Sequence, residues 1–577
     1  MLKKTNTIII TLASILLIFL FVNQTNSNFI KEKQSICINS SSSKDTDSKT
    51  IELENKIQKI YKKVLKSTVS INNSSTGVLI SDDGYILTAS HVVTGSKLNR
   101  SVITLHNGTK YNAVHLGRDE RGDYALLKIE KKGDWEYLEL GNSASLERDE
   151  ACLMFGHPAG YQPDRPAVMR IGFYKGLKEG ADGYLQTTCI MMPGDSGGPL
   201  VDLDGKVIGV CSRIRPSIEM NFYPSVDKIK ENWDKLINGE AFNLTKSKKK
   251  ELSESKENKE VVSSSTTEKP FTLKGGKKYL INSIAKSVKK IHKSVVKIES
   301  TINDKKTETF GTIISSKGYI VAKASEVDIN ELTCELYNGT IIPAKIIGID
   351  AANDLIVLQI AARKIKAITL PKIVDTSVGK LVGTASFNEG VKYSGIIGAP
   401  AREIRPEIPP QNFIGAYIYN TNEIYKVYRN SPAMEGGLKL NDIIIKFDST
   451  RVKNSKEYFS LLRKVEKKQK VMITFLRDGK EKVTQVEIGY PPKRKSIEVS
   501  KRKSNFTQVF THDMPIEVYE TGTPVVDING DVIGINIAKE SRPCSFAIPI
   551  DIVLKAVQKI TKDKVKSPIV YTRPEAT

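Results

Sequence analysis

Residues 77–93 read GVLISDDGYILTASHVV, and residues 311–327 read GTIISSKGYIVAKASEV. Both open on Gly, run through an apolar stretch, turn at a Gly-Tyr pair and enter a second apolar stretch. The pairing continues in the same order. GRDERGDYALLKI from Gly117 matches GIDAANDLIVLQI from Gly348, and GPLVDLDGKVIGV from Gly198 matches TPVVDINGDVIGI from Thr523. Three matched blocks in one order define an internal duplication. Short apolar runs bounded by Gly, Asp and Asn turns predict a mostly β chain of barrels or sandwiches. The copies differ in length. Gly77 to Asp227 spans 150 positions and Gly311 to Asp551 spans 240, so 90 extra residues fall between Arg402 and Asn505. That is the size of one small domain inserted into the second copy.

The chain has 577 residues, 26% charged and 40% hydrophobic. This excludes a mostly disordered chain and a polytopic membrane protein. Lys and Arg number 87 against 65 acidic residues, a net charge of +22. No nucleic-acid motif accompanies it, so no nucleic-acid partner is expected and a Lys-rich surface accounts for the charge. The cysteines, Cys37, Cys152, Cys189, Cys211, Cys334 and Cys544, form no CxxC pair. No zinc site, other metal site or cofactor is implied. Lys3 and Lys4 precede an apolar run from Ile8 to Val22, and polar residues follow to Ser27. Residues 1–27 read as a secretory signal or an uncleaved membrane anchor, the only membrane contact expected. Residues 28–50 and 241–275 are polar and read as linkers.

The block PGDSGGPL, Pro193–Leu200, carries the chemistry. A serine nucleophile needs a tight turn whose backbone N–H groups point at a developing oxyanion. Gly194, Gly197 and Gly198 permit that close approach. Serine also needs a base and an acid to orient the base. His91 in TASHVV and Asp123 in GDYALLKI are the candidates, and the order is His, Asp, Ser. His106, His115 and His157 lack such surroundings and read as surface or loop residues.

With their motifs, His91, Asp123 and Ser196 resemble those of trypsin-like serine peptidases, within them the HtrA (DegP-like) branch. The resemblance covers residues 51–240 and implies a chymotrypsin-like double β-barrel. It implies Ser196 as nucleophile, His91 as base and Asp123 as its orienting acid. The oxyanion hole would be the amides of Gly194 and Ser196. Ile190, six residues before the nucleophile, would line an S1 pocket for an apolar side chain. HtrA members commonly carry Asn where this chain has Asp195. A buried carboxylate there must be exposed, protonated or paired with a cation that the sequence does not identify. Cys189 and Cys211 lie on strands that could approach each other.

The second copy, residues 276–405 and 493–577, aligns Ser325 with His91, Asp354 with Asp123 and Thr521 with Ser196. The base is gone, so this copy reads as a degenerate trypsin-like barrel, with His512 and Asp513 a solvated or capping pair. The insert, residues 406–492, contains FIGAYI, then SPAMEGGLKLNDIIIKFD, then a hairpin at Asp478-Gly479. It resembles a PDZ domain of the bacterial protease-associated kind. The resemblance implies capture of a peptide C-terminus on the loop Phe413, Ile414, Gly415 and Ala416. The expectation is an extracytoplasmic serine endopeptidase, periplasmic, secreted or anchored, acting on unfolded or damaged proteins. Self-association into a homo-oligomer is left open. The alternative is a non-catalytic peptide-binding scaffold.

Overall fold

The computed structural model describes residues 48–94, 99–178, 183–215, 217–244, 276–302, 304–371, 373–387, 391–406, 412–418, 422–428, 431–466, 468–489 and 498–563. The N-terminal apolar run and most of both linkers lie outside the described residues. Among the described residues, no helix is long and apolar enough to cross a membrane.

Helix α1 (Ser48–Ser67) begins just before the first barrel. It buries Leu53, Ile57, Ile60 and Val64, a spacing of four, three and four that forms one apolar face. Six strands follow: β1 (Thr68–Ile71), β2 (Ser75–Leu79), β3 (Tyr85–Thr88), β4 (Arg100–Thr104), β5 (Lys110–Asp119) and β6 (Tyr124–Ile129). They close in the order β1-β2-β3-β6-β5-β4. Among the described residues, six of the next seven strands build the next barrel: β7 (Ala151–Gly156), β8 (Val168–Leu177), β9 (Tyr184–Thr187), β10 (Pro199–Val201), β11 (Val207–Val210) and β12 (Asn221–Pro224), with the short strand Arg213–Ile214 paired to β12. They run in the order β11-β10-β7-β8-β9-β12, and a bridge from Gly209 to Ser225 brings the ends together.

Helix α2 (Gly276–Ile291) leads into a second pair. One closed barrel contains β13 (Val295–Ile302), β14 (Lys305–Ile313), β15 (Tyr319–Lys323), β16 (Thr333–Glu335), β17 (Ile341–Asp350) and β18 (Leu355–Ile360). Its order, β13-β14-β15-β18-β17-β16, repeats that of the first barrel. The last barrel begins with β19 (Leu381–Ala385) and β20 (Val391–Ile404). The chain then builds a separate unit with its own core, from Ile414 to Ile488. That unit contains β21 (Ala416–Ile418), β22 (Ile424–Val427), β23 (Ile443–Phe447), helix α3 (Ser455–Leu462), β24 (Lys470–Arg477) and β25 (Lys480–Glu487). Asp478 and Gly479 both have positive φ, 51° and 76°, as a two-residue hairpin turn requires. The barrel resumes with β26 (Phe506–His512), β27 (Pro524–Asp527), β28 (Val532–Lys539) and β29 (Ser545–Pro549), before helix α4 (Ile550–Asp563). It closes as β19-β20-β26-β29-β28-β27, the order of the second barrel again. One apolar core runs through both pairs and takes in the buried faces of α1, α2 and α4.

In the second pair, the aligned residues are sealed. Asp354 accepts from the Ser325 backbone at 2.8 Å and from Ser325 Oγ at 2.9 Å. Lys323 Nζ donates to Asp354 at 2.5 Å and to the Arg502 carbonyl at 2.9 Å. All three side chains are buried. His512 is buried, not solvated, with Nε2 2.7 Å from Asn536 Oδ1, and Asp513 is half-buried with its carboxylate accepting from the Ile171 and Ile396 backbone N–H groups. Replacing Lys323 alone would strand a buried carboxylate, which costs about 3–5 kcal/mol. Lys323→Met should therefore lower unfolding stability in urea by about that much. Adding Asp354→Asn should restore most of it.

Candidate active site

Asp123 sits just before β6 with φ 58°, in the left-handed region that Asp tolerates better than most residues. That conformation turns its carboxylate beneath the short helix Ser90–Val93, where His91 lies. The His91 backbone N–H donates to Asp123 Oδ1 at 3.0 Å. His91 Nδ1 lies 2.9 Å from both carboxylate oxygens. Ser212 Oγ donates to Asp123 Oδ2 at 2.5 Å. The His91 side chain is 50% exposed and that of Asp123 only 5%. Burial pushes the Asp123 carboxyl up, but the bonds from His91 and Ser212 outweigh it and hold the group below its usual range. Asp123 therefore remains an anion facing Nδ1, which leaves Nε2 as the ring's free nitrogen.

Ser196 is half-buried. Its turn is bound to the elements that carry the other two residues. Thr76 N donates to the Ser196 carbonyl at 2.9 Å, and Gly197 N donates to the Cys211 carbonyl at 2.8 Å, next to Ser212. A side chain at Gly197 would overlap Thr88, which ends the strand leading to His91. No hydrogen bond joins Ser196 Oγ to the His91 ring among the described residues. Such bonds are often long in ligand-free enzymes.

The turn that carries Ser196 is held by its carbonyls. Ala159 N donates to the Pro193 carbonyl at 2.8 Å, and Thr76 Oγ1 donates to the Gly194 carbonyl at 2.8 Å. In a trans peptide, the C=O and the following N–H point opposite ways. Fixing the Pro193 carbonyl on Ala159 therefore aims the Gly194 N–H the other way. Gly194 has φ 104°, and any side chain there would overlap the His157 carbonyl. Among the described residues, the amides of Gly194 and Ser196 donate to no acceptor.

Asp195 is fully buried and paired. Its Oδ2 accepts from Arg170 Nη1 at 2.7 Å and from Met192 N at 2.9 Å. Of the three alternatives open from the sequence, the cation is the one observed. Arg170 stands out in retrospect as the one charge in the run Val168–Phe173. Ser212 was also missed. Ile190 lines a cavity of 330 Å³ with Arg170, Phe173 and Ile218 from the first pair and with Leu280, Tyr393 and Asp513 from the second. Cys189 and Cys211 are buried in one apolar cluster with Cys152, whose Sγ lies 3.8 Å from Cys189 Sγ. His115 and His157 are buried rather than superficial, because Ser101 and Thr76 supply polar partners inside. His106 is exposed.

In the separate unit, Phe413, Ile414 and Ala416 are buried. The Ile414 carbonyl accepts from Ala433 N at 2.7 Å and the Gly415 carbonyl from Tyr428 N at 2.9 Å. Gly415 has φ 96°, and a side chain there would overlap Ser431. The amides of Ile414 and Gly415 donate to no acceptor among the described residues.

Comparison with known proteins agrees with this geometry. The family described as "Trypsin-like peptidase domain" matches residues 75–210, and the family described as "PDZ domain" matches residues 395–488. Serine protease HTRA1A of Danio rerio is 35% identical over 190 residues, covering 31% of this chain and 39% of that protein. Serine protease HTR4 of Bos taurus is 35% identical over 164 residues, 28% of this chain and 33% of its own. A probable periplasmic serine endoprotease DegP-like of Chlamydia pneumoniae is 39% identical over 145 residues, 24% of this chain and 28% of its own. The chain thus spans 28–39% of the length of these relatives. It contains a trypsin-type peptidase domain of the HtrA/DegP-like kind. A separate PDZ domain accompanies it.

His157 offers a test of how dry the turn's support is. Burial, with Arg165 and Arg170 nearby, pulls its pKa down to about 3. The unfolded chain protonates this histidine near pH 6.5, so the stability it contributes is full above that pH and is lost as pH falls toward 3. Wild type should lose about 2 kcal/mol relative to His157→Gln between pH 7.5 and pH 5, read from urea unfolding of both.

Proposed function

We propose that the chain is an extracytoplasmic serine endopeptidase whose first pair of barrels performs the chemistry. The observation that carries this reading is the Pro193 carbonyl's bond to Ala159, which aims the Gly194 amide the other way; among the described residues the Gly194 and Ser196 amides donate to no acceptor, and His91 is paired with Asp123. In the reaction, Ser196 Oγ attacks the scissile carbonyl and His91 Nε2 takes its proton. Asp123 holds the imidazole tautomer and stabilises the imidazolium. The carbonyl oxygen, now negative, lies on the two free amides. His91 then protonates the leaving amine, and water repeats the sequence on the acyl-enzyme. The residues forming the nucleophile, base and oxyanion site all belong to this chain.

The second pair is a degenerate copy with the PDZ domain inserted between β20 and β26. Its sealed Lys323–Asp354–Ser325 cluster has no base in the position of His91. The free amides of Ile414 and Gly415 support capture of a peptide's C-terminal carboxylate. The names of the relatives support an extracytoplasmic location and a protein substrate, which we take to be unfolded or damaged chains. Ile190 supports an apolar P1 residue. The scaffold alternative required a collapsed oxyanion loop, and the Pro193–Ala159 bond argues against collapse.

The chain from residue 28 onward should cleave casein and react with a fluorophosphonate. Ser196→Ala should abolish both, a loss of about 10⁶ in kcat. Absence of both in the unmodified chain would overturn the reading in favour of the scaffold. A second variant probes the pocket. Ile190→Asp should shift cleavage from apolar P1 residues toward Lys and Arg, read by mass spectrometry of the peptides released.

A further inference from the structure

The second pair of barrels touches the first where the oxyanion turn is anchored. Arg170 lies near the start of β8, and its side chain and that of Asp195 are 1% and 0% exposed. Asp195 Oδ1 has no hydrogen-bond partner among the described residues. Compensation of this buried charge therefore falls on Oδ2, through Arg170 and Met192 N. Gly156 provides the space, since a side chain there would overlap Asp195.

Strand β8 is in turn bonded to the second pair. Ile171 N, the residue after Arg170, donates to Asp513 Oδ2 at 2.8 Å. Asp513 Oδ1 accepts from Ile396 N of β20 at 2.7 Å. One carboxylate thus bridges a strand of each pair. Gly395 leaves room for it, and Gly398 packs directly on the Met169 carbonyl. Val168, Ala399 and Cys544 close the seam, with Cys544 Sγ 4.0 Å from Arg170 Nη2. Arg542 of the second pair donates to the Arg215 carbonyl at 2.6 Å and to the Ser217 carbonyl, just beyond Ser212.

We propose that the second, triad-less pair of barrels is a built-in brace for the active site: through Asp513 it fixes β8, so that Arg170 holds Asp195 inward and the oxyanion turn keeps its amides free. This rests on the peptidase reading above. The physical reason is the dielectric. Arg170 binds Asp195 strongly because both side chains are buried, and Ala399 and Cys544 of the second pair pack against the start of β8 beside them. An Asp195 released from Arg170 would move toward solvent and carry Gly194 with it. Arg170, Asp513 and Arg542 are thus positioning residues in this proposal.

The test uses the chain from residue 28 onward, with fluorophosphonate labelling, peptide kinetics and thermal melts on each variant. Arg170→Met should lower the labelling rate and kcat by about 100-fold, the scale of losing one oxyanion donor, with KM within about threefold. Arg170→Met with Asp195→Asn removes the stranded charge and should regain at least about tenfold. Asp513→Leu should cost about tenfold in kcat with KM again little changed. A merely structural role would move the melting temperature but would give neither the kcat-selective loss nor the rescue. Labelling by both Arg170→Met and Asp513→Leu within about twofold of the parent overturns the brace. So does a folded double variant that shows no rescue. Should Arg170→Met fail to fold, Asp513→Leu and the double variant decide. Should the parent neither label nor cleave, the peptidase reading falls first and the brace with it.

Discussion

An oxyanion site requires backbone amides that hydrogen-bond to nothing in the resting protein. Unpaired amides away from water are costly, and a loop left to itself would turn them inward. On the proposed peptidase reading, the turn from Pro193 to Gly198 must therefore be held by groups other than the amides of Gly194 and Ser196. The structure meets this with carbonyls and a side chain. Ala159 holds the Pro193 carbonyl, and Thr76 holds those of Gly194 and Ser196. Asp195 fixes the Met192 amide from below. The glycines follow from the same close packing, because a Cβ at Gly194 would meet the His157 carbonyl and one at Gly197 the Thr88 hydroxyl and the Thr76 carbonyl. Much of the sequence around the turn follows from this requirement.

The two pairs of barrels show what persists when that requirement is removed. Asp123 and Asp354 both adopt positive φ, 58° and 55°, and both accept the backbone N–H of the residue facing them. This local geometry survives because it ties a short helical turn to the strand that follows the Asp, a structural task in either copy. The partner of the carboxylate differs. In the first copy it is a histidine that is half exposed and free at Nε2. In the second it is a lysine with no exposure at all. A carboxylate buried to that degree needs a cation, and Lys323 supplies one without leaving a reactive edge. Thr521, aligned with Ser196, is likewise buried and donates its hydroxyl proton to the Val518 carbonyl.

Much of this was legible in the sequence, and the boundary of what was legible has a physical basis. Repeated blocks and turn residues are local, so the duplication, the insert and the Asp478-Gly479 hairpin could be read directly. His91 and Asp123 could be named because each lies in a short motif with a fixed relation to a strand. Arg170 could not be assigned to Asp195, since 25 residues and a barrel's curvature separate them. A cation amid Val168, Met169, Ile171 and Phe173 does signal that some carboxylate must meet it, but not which one. His115 and His157 were misplaced for a related reason: histidine is buried or exposed according to whether the fold supplies a polar partner, here Ser101 and Thr76. The seam at Asp513 was beyond reach, because it depends on how two separately legible halves pack.

The position of the insert follows from the duplicated topology. In the first copy β8 and β9 are joined by the short segment between Leu177 and Tyr184. In the second, the equivalent strands β20 and β26 are joined by everything from Ile404 to Phe506. A hairpin connection tolerates such growth because its ends are already adjacent, and loop-closure entropy rises only logarithmically with added length. The unit's own core, from Ile414 to Ile488, keeps the added chain from disturbing the barrel. Asp513 and Ile396 lie at the opposite end of that hairpin from the insertion point. The strand pair can therefore accept a whole domain at its tip while its base continues to grip β8.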